Sequence, residues 1–191
     1  MTLPACAPAL ISPDQNTIRL KRLSILLSWV CLVLITALPI LFIWFWAAAS
    51  PAELAERVNL PGHLVQGPIK LWQRVAGGCV SMLPLGLLMA GLWQARKCLR
   101  LFAAGSIFTL PAVMALKRFA ALATASFALS FLASTALSGL ITLNNAPGTR
   151  QLVIGISTEQ AVALFFAGLM WVMAAVMAQG LHLAEENANF V

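Results

Sequence analysis

The side chains able to do acid–base, nucleophilic or metal chemistry are few in this chain and stand apart. There are two histidines, His63 and His182, and four cysteines, Cys6, Cys31, Cys79 and Cys98. Neither histidine has a cysteine, histidine or carboxylate at metal-ligand spacing, and the cysteines match no zinc or redox pattern. Cys31 and Cys79 fall inside apolar runs, where a thiol acts as a small hydrophobe. No phosphate-binding loop, nucleophile elbow or His-Glu-x-x-His is present. Glu159 borders an apolar stretch, where the dipole of a starting helix favours a carboxylate. These residues point to no enzyme, no metal and no cofactor. What remains is the chemistry of surface charge. Arg96, Lys97, Arg100, Lys117 and Arg118 share one segment, and Glu185 and Glu186 stand in a C-terminal tail.

The elements that position these charges follow from composition. Of 191 residues, 61% are apolar and 9% charged, and the mean hydropathy is +0.90. Soluble domains average about 45–50% apolar and about 25% charged, and disordered chains are polar. One integral membrane domain is the expectation. The 12 basic residues outnumber 6 acidic ones, but they fall in short runs beside apolar stretches. That is how topology-setting charges are placed, and no direct nucleic-acid contact is expected.

Four stretches carry no Asp, Glu, Lys or Arg: Leu23–Ala52, Val75–Ala95, Phe119–Thr149 and Gln160–Ala184. Each suffices for one helical crossing of about 20 residues, and none for two. The reading is an all-α membrane protein with four transmembrane helices, near residues 24–47, 76–96, 119–142 and 160–181. Residues 1–22 precede the membrane domain as a cytoplasmic segment, and residues 23–191 form it. The first span is too long for a signal peptide's apolar region and reads as an uncleaved anchor. Eight basic residues (Arg19, Lys21, Arg22, Arg96, Lys97, Arg100, Lys117, Arg118) lie on one side. Four (Arg57, Lys70, Arg74, Arg150) lie on the other. The richer side belongs in the cytoplasm, with both termini there. Trp44, Trp46, Trp72 and Trp93 fall near the boundaries, as an aromatic belt requires. Trp171 falls near mid-span and suits packing between helices.

The connections carry turn chemistry. Ser50-Pro51-Ala52-Glu53 reads as a capping box opening a short helix. Gln151–Ile156 is rich in β-branched residues, and pairing with Val58–Val65 would make a small external β element. In the middle loop Gly105 suits a left-handed helix C-cap, and Thr109 an N-cap followed by Pro111. Spans two and three would then project as a basic helical hairpin, with Phe108 packed on it. In the third span Ser126, Ser130, Ser134 and Ser138 recur every four residues. Such a stripe lets helices approach closely, often with a right-handed crossing, and spirals toward more than one neighbour. A hydrated serine-lined path is the other reading. Gly77, Gly78, Gly86 and Gly91 thin the second span, and Pro39 and Pro84 interrupt the first and second.

The run Leu101-Phe102-Ala103-Ala104-Gly105-Ser106-Ile107-Phe108-Thr109, then Leu116-Lys117-Arg118-Phe119, resembles a bacterial membrane family. So does the tail Glu185-Glu186-Asn187-Ala188-Asn189-Phe190-Val191. That family is catalogued as domain of unknown function 2975. The family usually carries an acidic residue where this chain has Ser106. It more often has aspartate and leucine at the positions of Ala188 and Asn189. The resemblance implies a four-span inner-membrane protein and no biochemical activity. Some members are encoded beside small helix-turn-helix regulators, which implies a sensing or regulatory role and a cytoplasmic regulator as partner.

From the residues themselves, the tail and the basic hairpin share one face. Charge pairing would dock Glu185 and Glu186 there, with Asn187 on a helix end and Phe190 near Phe108. The expected function is a regulatory, sensory or accessory membrane protein of the bacterial inner membrane. It would act through contacts with the bilayer, a membrane-protein partner or a second copy. The alternative is a small transporter or channel component.

Overall fold

The computed structural model describes residues 15–57, 70–106, 109–143, 153–155 and 158–189. Among the described residues five helices follow one another: α1 (Gln15–Ala48), α2 (Pro51–Arg57), α3 (Leu71–Ala103), α4 (Leu110–Thr142) and α5 (Thr158–Asn189). All but α2 are long and apolar enough to cross a membrane, as Ile18–Ala48, Leu71–Ala103, Leu110–Thr142 and Gln160–Leu183. At 1.5 Å per residue each long helix runs about 50 Å, well beyond the about 30 Å of hydrocarbon. The uncharged runs mark only the lipid-covered part. The helices continue past it because their flanks hold good helix formers and no breaker.

Contacts fix the register. Along α3 the buried residues Gly77, Pro84, Gly91 and Cys98 recur every seven positions. Each meets α4 in descending order. Gly77 lies beside Leu137, and Gly91 beside Phe119 and Leu122. The Pro84 carbonyl accepts from Ser126 Oγ at 2.7 Å. The Ala112 carbonyl accepts from Cys98 Sγ at 3.6 Å. The two helices are therefore antiparallel. Their seam is a seven-residue repeat of small residues, the period of left-handed packing. The four-residue serine spacing does not set this interface.

α1 reaches α3 at the same level, where Trp46 lies over Gly77. The Arg74 guanidinium reaches the α1 terminus. At the far side of α4, Trp171 Nε1 of α5 donates to Thr124 Oγ1 at 3.2 Å. Among the described residues, α1 packs on α3, α3 on α4 and α4 on α5, while α1 and α5 share no comparable interface. The four long helices thus stand as an antiparallel row, with both helical termini at one end.

Candidate functional site

At the end of the row where α3 meets α4, the chain turns through a complete left-handed cap. Gly105 has φ +85°, the region a side chain rarely adopts. The Gly105 N–H donates to the Phe102 carbonyl and the Ser106 N–H to the Leu101 carbonyl, each at 3.0 Å. These are the two bonds of a Schellman motif. Thr109 is the N-cap of α4, with Pro111 in its first turn. Its hydroxyl does not cap the helix. It donates to the Ser106 carbonyl at 3.1 Å and so ties the two sides of the turn.

Lys97, Arg100, Lys117 and Arg118 are exposed around this turn, and Arg96 is half-buried. The Arg96 guanidinium carbon lies 5.6 Å from the Trp93 ring centroid. Its Nε is buried without a hydrogen-bond partner. Phe108 lies outside the described residues.

The acidic tail is a continuation of α5, which runs helical through Glu185, Glu186 and Asn187 to Asn189. With Trp171 level with Thr124, antiparallel register brings Glu185 level with Leu110. Tail and hairpin therefore occupy the same end. The contacts expected of Asn187 and Phe190 fall outside the described residues.

The serines divide. Ser126 and Ser138 are buried, while Ser130 and Ser134 are half-buried. Ser126 bonds across to α3. Ser134 Oγ donates back to the Phe131 carbonyl at 2.8 Å. Ser138 Oγ donates to the Thr135 carbonyl at 2.7 Å and accepts the Val153 N–H at 3.0 Å. The ridge thus engages α3 at one point and the connection before α5 at another.

Among the described residues the most densely bonded end is the opposite one, where α2 lies. The α2 capping box forms. The Ser50 N–H donates to Glu53 Oε2 at 2.6 Å, the Ser50 hydroxyl at 2.9 Å, and the Glu53 N–H returns to Ser50 Oγ at 3.4 Å. These bonds hold the exposed Glu53 carboxyl below its ordinary value, the backbone donor first and the hydroxyl second. Leu54 then drops into a core of Ala49, Leu137 and Ile141, with Phe45, Trp46, Leu140 and Val153 around it. Gln73, 2% exposed, accepts the Lys70 N–H at 3.0 Å and donates to the Leu140 carbonyl at 2.8 Å. Arg74 donates to Trp46 O at 3.2 Å, Ala47 O at 3.4 Å and Ala49 O at 2.8 Å. It thereby caps α1 from a neighbouring helix, a cation at the negative end of a dipole.

Of the run Gln151–Ile156, the described residues Val153, Ile154 and Gly155 have no regular structure, and no strand is seen there. The Val153 N–H that a strand partner would have received goes to Ser138. The other half of that expectation, Val58–Val65, lies outside the described residues, as does His63. Among the described residues no three His, Cys, Asp or Glu side chains gather as for a metal.

A family profile described as protein of unknown function (DUF2975) matches residues 61–191. No curated protein and no solved structure matches the chain.

Proposed function

The chain belongs to the family described as protein of unknown function (DUF2975), and we propose a contact-mediated role for it. It is a multi-pass membrane protein, and the proposed role is regulatory, sensory or accessory, in a bacterial inner membrane with both helical termini in the cytoplasm. The partner is another membrane protein, a second copy or a cytoplasmic regulator, and no catalysed reaction is involved. One observation carries this reading: the serine hydroxyls best placed to line a path are taken up inside the protein. Ser126 is 4% exposed and bonds the Pro84 carbonyl. Ser138 is 0% exposed and holds Val153. A packed ridge supports a protein that works through its surfaces, whereas a transporter needs a wet one.

The test has two arms. Ser126→Cys and Ser134→Cys, in a background without native cysteines, are treated with a membrane-impermeant thiol reagent. Neither is expected to react, and reaction at both would favour a transporter or channel component. Affinity purification of the tagged protein in mild detergent is expected to bring a membrane or cytoplasmic protein, or a second copy, in fixed ratio. Recovery of the chain alone as a monomer would count against the contact reading.

A further inference from the structure

Two arginines of α3 differ in what receives them. Arg74 and Arg96 lie about 33 Å apart along the helix at 1.5 Å per residue. That is close to the about 30 Å thickness of a bilayer's hydrocarbon layer. Each therefore sits near one boundary. The Arg74 guanidinium ends on the carbonyls of Trp46, Ala47 and Ala49 at the terminus of α1. These oxygens are available because a helix leaves its last carbonyls unbonded.

With Trp46 over Gly77, antiparallel register sets Arg96 level with the body of α1 instead. Its charge lies within electrostatic reach of the Cys31 thiol. Cys31 shares its face of α1 with buried Ser24 and Ser28. The carbonyls of a helix body are already bonded one turn on. Arg96 Nε is buried and unpartnered, and no hydrogen bond or ion pair of Arg96 occurs among the described residues. The Trp93 ring beneath it holds the cation but accepts none of its five N–H donors. Donors held half-buried without acceptors are costly.

The surroundings select the kind of acceptor. Lys97 and Arg100 follow on α3, Arg19, Lys21 and Arg22 open α1 at the same end, and Lys117 and Arg118 lie on α4. The carboxylates of Glu53 and Glu56 belong to α2, at the opposite end, and Glu185 and Glu186 belong to α5, which packs on α4 and shares no comparable interface with α1 or α3. An anion is favoured here. The planar guanidinium fork matches a phosphate with two parallel bonds. At a membrane boundary, beside a tryptophan placed at headgroup level, the abundant phosphate is that of lipid.

We propose that Arg96, half-buried on α3 with Trp93 beside it, binds the phosphate of an anionic phospholipid. The site rests on the helices spanning a bilayer and is independent of the contact-mediated role proposed above.

Purified full-length protein in detergent is titrated with short-chain phosphatidylglycerol, phosphatidylcholine or inorganic phosphate. Bound lipid is counted by native mass spectrometry, and tryptophan emission is followed in parallel. Phosphatidylglycerol is expected to bind roughly tenfold more tightly than phosphatidylcholine, and Arg96→Gln to lose most of that preference. Arg96→Lys keeps the charge without the fork and falls between. Lys97→Gln, an exposed neighbour, changes the affinity less than about twofold. Equal binding of the two lipids by the unmodified protein overturns the proposal. So does a preference that survives in Arg96→Gln, or inorganic phosphate binding as tightly as phosphatidylglycerol. If Arg96→Gln does not fold, the unmodified protein and Arg96→Lys decide, and an unchanged preference in Arg96→Lys overturns the fork.

Discussion

Replacing Gly77 by alanine sets two effects of opposite sign against each other on α3. In a helix interior the change from glycine to alanine gains about 1 kcal/mol through backbone entropy. At Gly77 the new Cβ would stand 2.7 Å from Trp46 Cζ3 and 3.0 Å from Leu137 Cδ2, with Trp46 Cη2 closer still. The indole cannot swing clear easily. Phe42 lies against it, ring centroids 6.3 Å apart, and its Nε1 is already buried. Overpacking of a rigid contact costs about 1–3 kcal/mol, toward the upper end when two neighbours are too close. The net expectation is a loss of about 1–2 kcal/mol, a fivefold to thirtyfold fall in the folded-to-unfolded ratio. Gly86 is the internal control, because its Cβ would meet nothing within 4 Å. Gly86→Ala should gain up to about 1 kcal/mol. The assay is denaturation of both variants in mixed micelles of mild detergent and dodecyl sulfate, followed by circular dichroism. If Gly77→Ala is as stable as the unmodified protein while Gly86→Ala behaves as expected, the Trp46 contact is not what seats α1 on α3.

Four further outcomes follow from the bonded end of the row and from the α4 serines. Arg74→Met should cost about 2 kcal/mol in the same assay, since one short and two longer charge-assisted bonds are lost at a half-exposed site. It should also raise amide exchange in the last turn of α1. The Glu53 carboxyl is held below its ordinary value. Its contribution to α2 is therefore present above the unfolded pKa of glutamate and disappears as pH falls through the lower folded value. Amide protection at Leu54 should drop across that acidic window, and Glu53→Ala should abolish the dependence. Ser126→Ala removes one bond across α3 and α4 and should cost about 0.6 kcal/mol, the average for such bonds in membranes. Ser138→Ala should instead be read at Val153, whose amide loses its acceptor and exchanges faster.

The long helices were legible because the lipid environment writes itself into sequence as absence of charge. The hairpin turn was legible at Gly105, where a left-handed backbone needs glycine. The partners of Gln73 and Arg74 were not, since both bond backbone carbonyls, which every residue carries and which leave no signature in residue type. Gly77 and Gly86 looked alike in sequence as thinning positions. Only packing separates the one under Trp46 from the one facing outward. The even spacing of the four serines predicts a stripe that spirals toward more than one neighbour, and Ser126 does bond α3 and Ser138 the connection before α5, while Ser134 bonds its own helix. The β-branched run at Val153 carries a strand signal, whereas the bond its Val153 amide makes to the Ser138 hydroxyl has no counterpart in residue pattern. For function the chain carries less, because a surface that works by contact is spelled in ordinary apolar and basic residues.

The row of helices has a consequence for how the protein is made. Each long helix packs on the long helix synthesised just before it, so no seam waits for a distant segment to arrive. Loop closure contributes little to the barrier, and assembly can keep pace with insertion of successive hairpins. The last panel, α5, joins through the single face that buries Ala167 and Ala174. Pulled from its C-terminus, it should detach first and alone, leaving the three-helix remainder to yield at higher force.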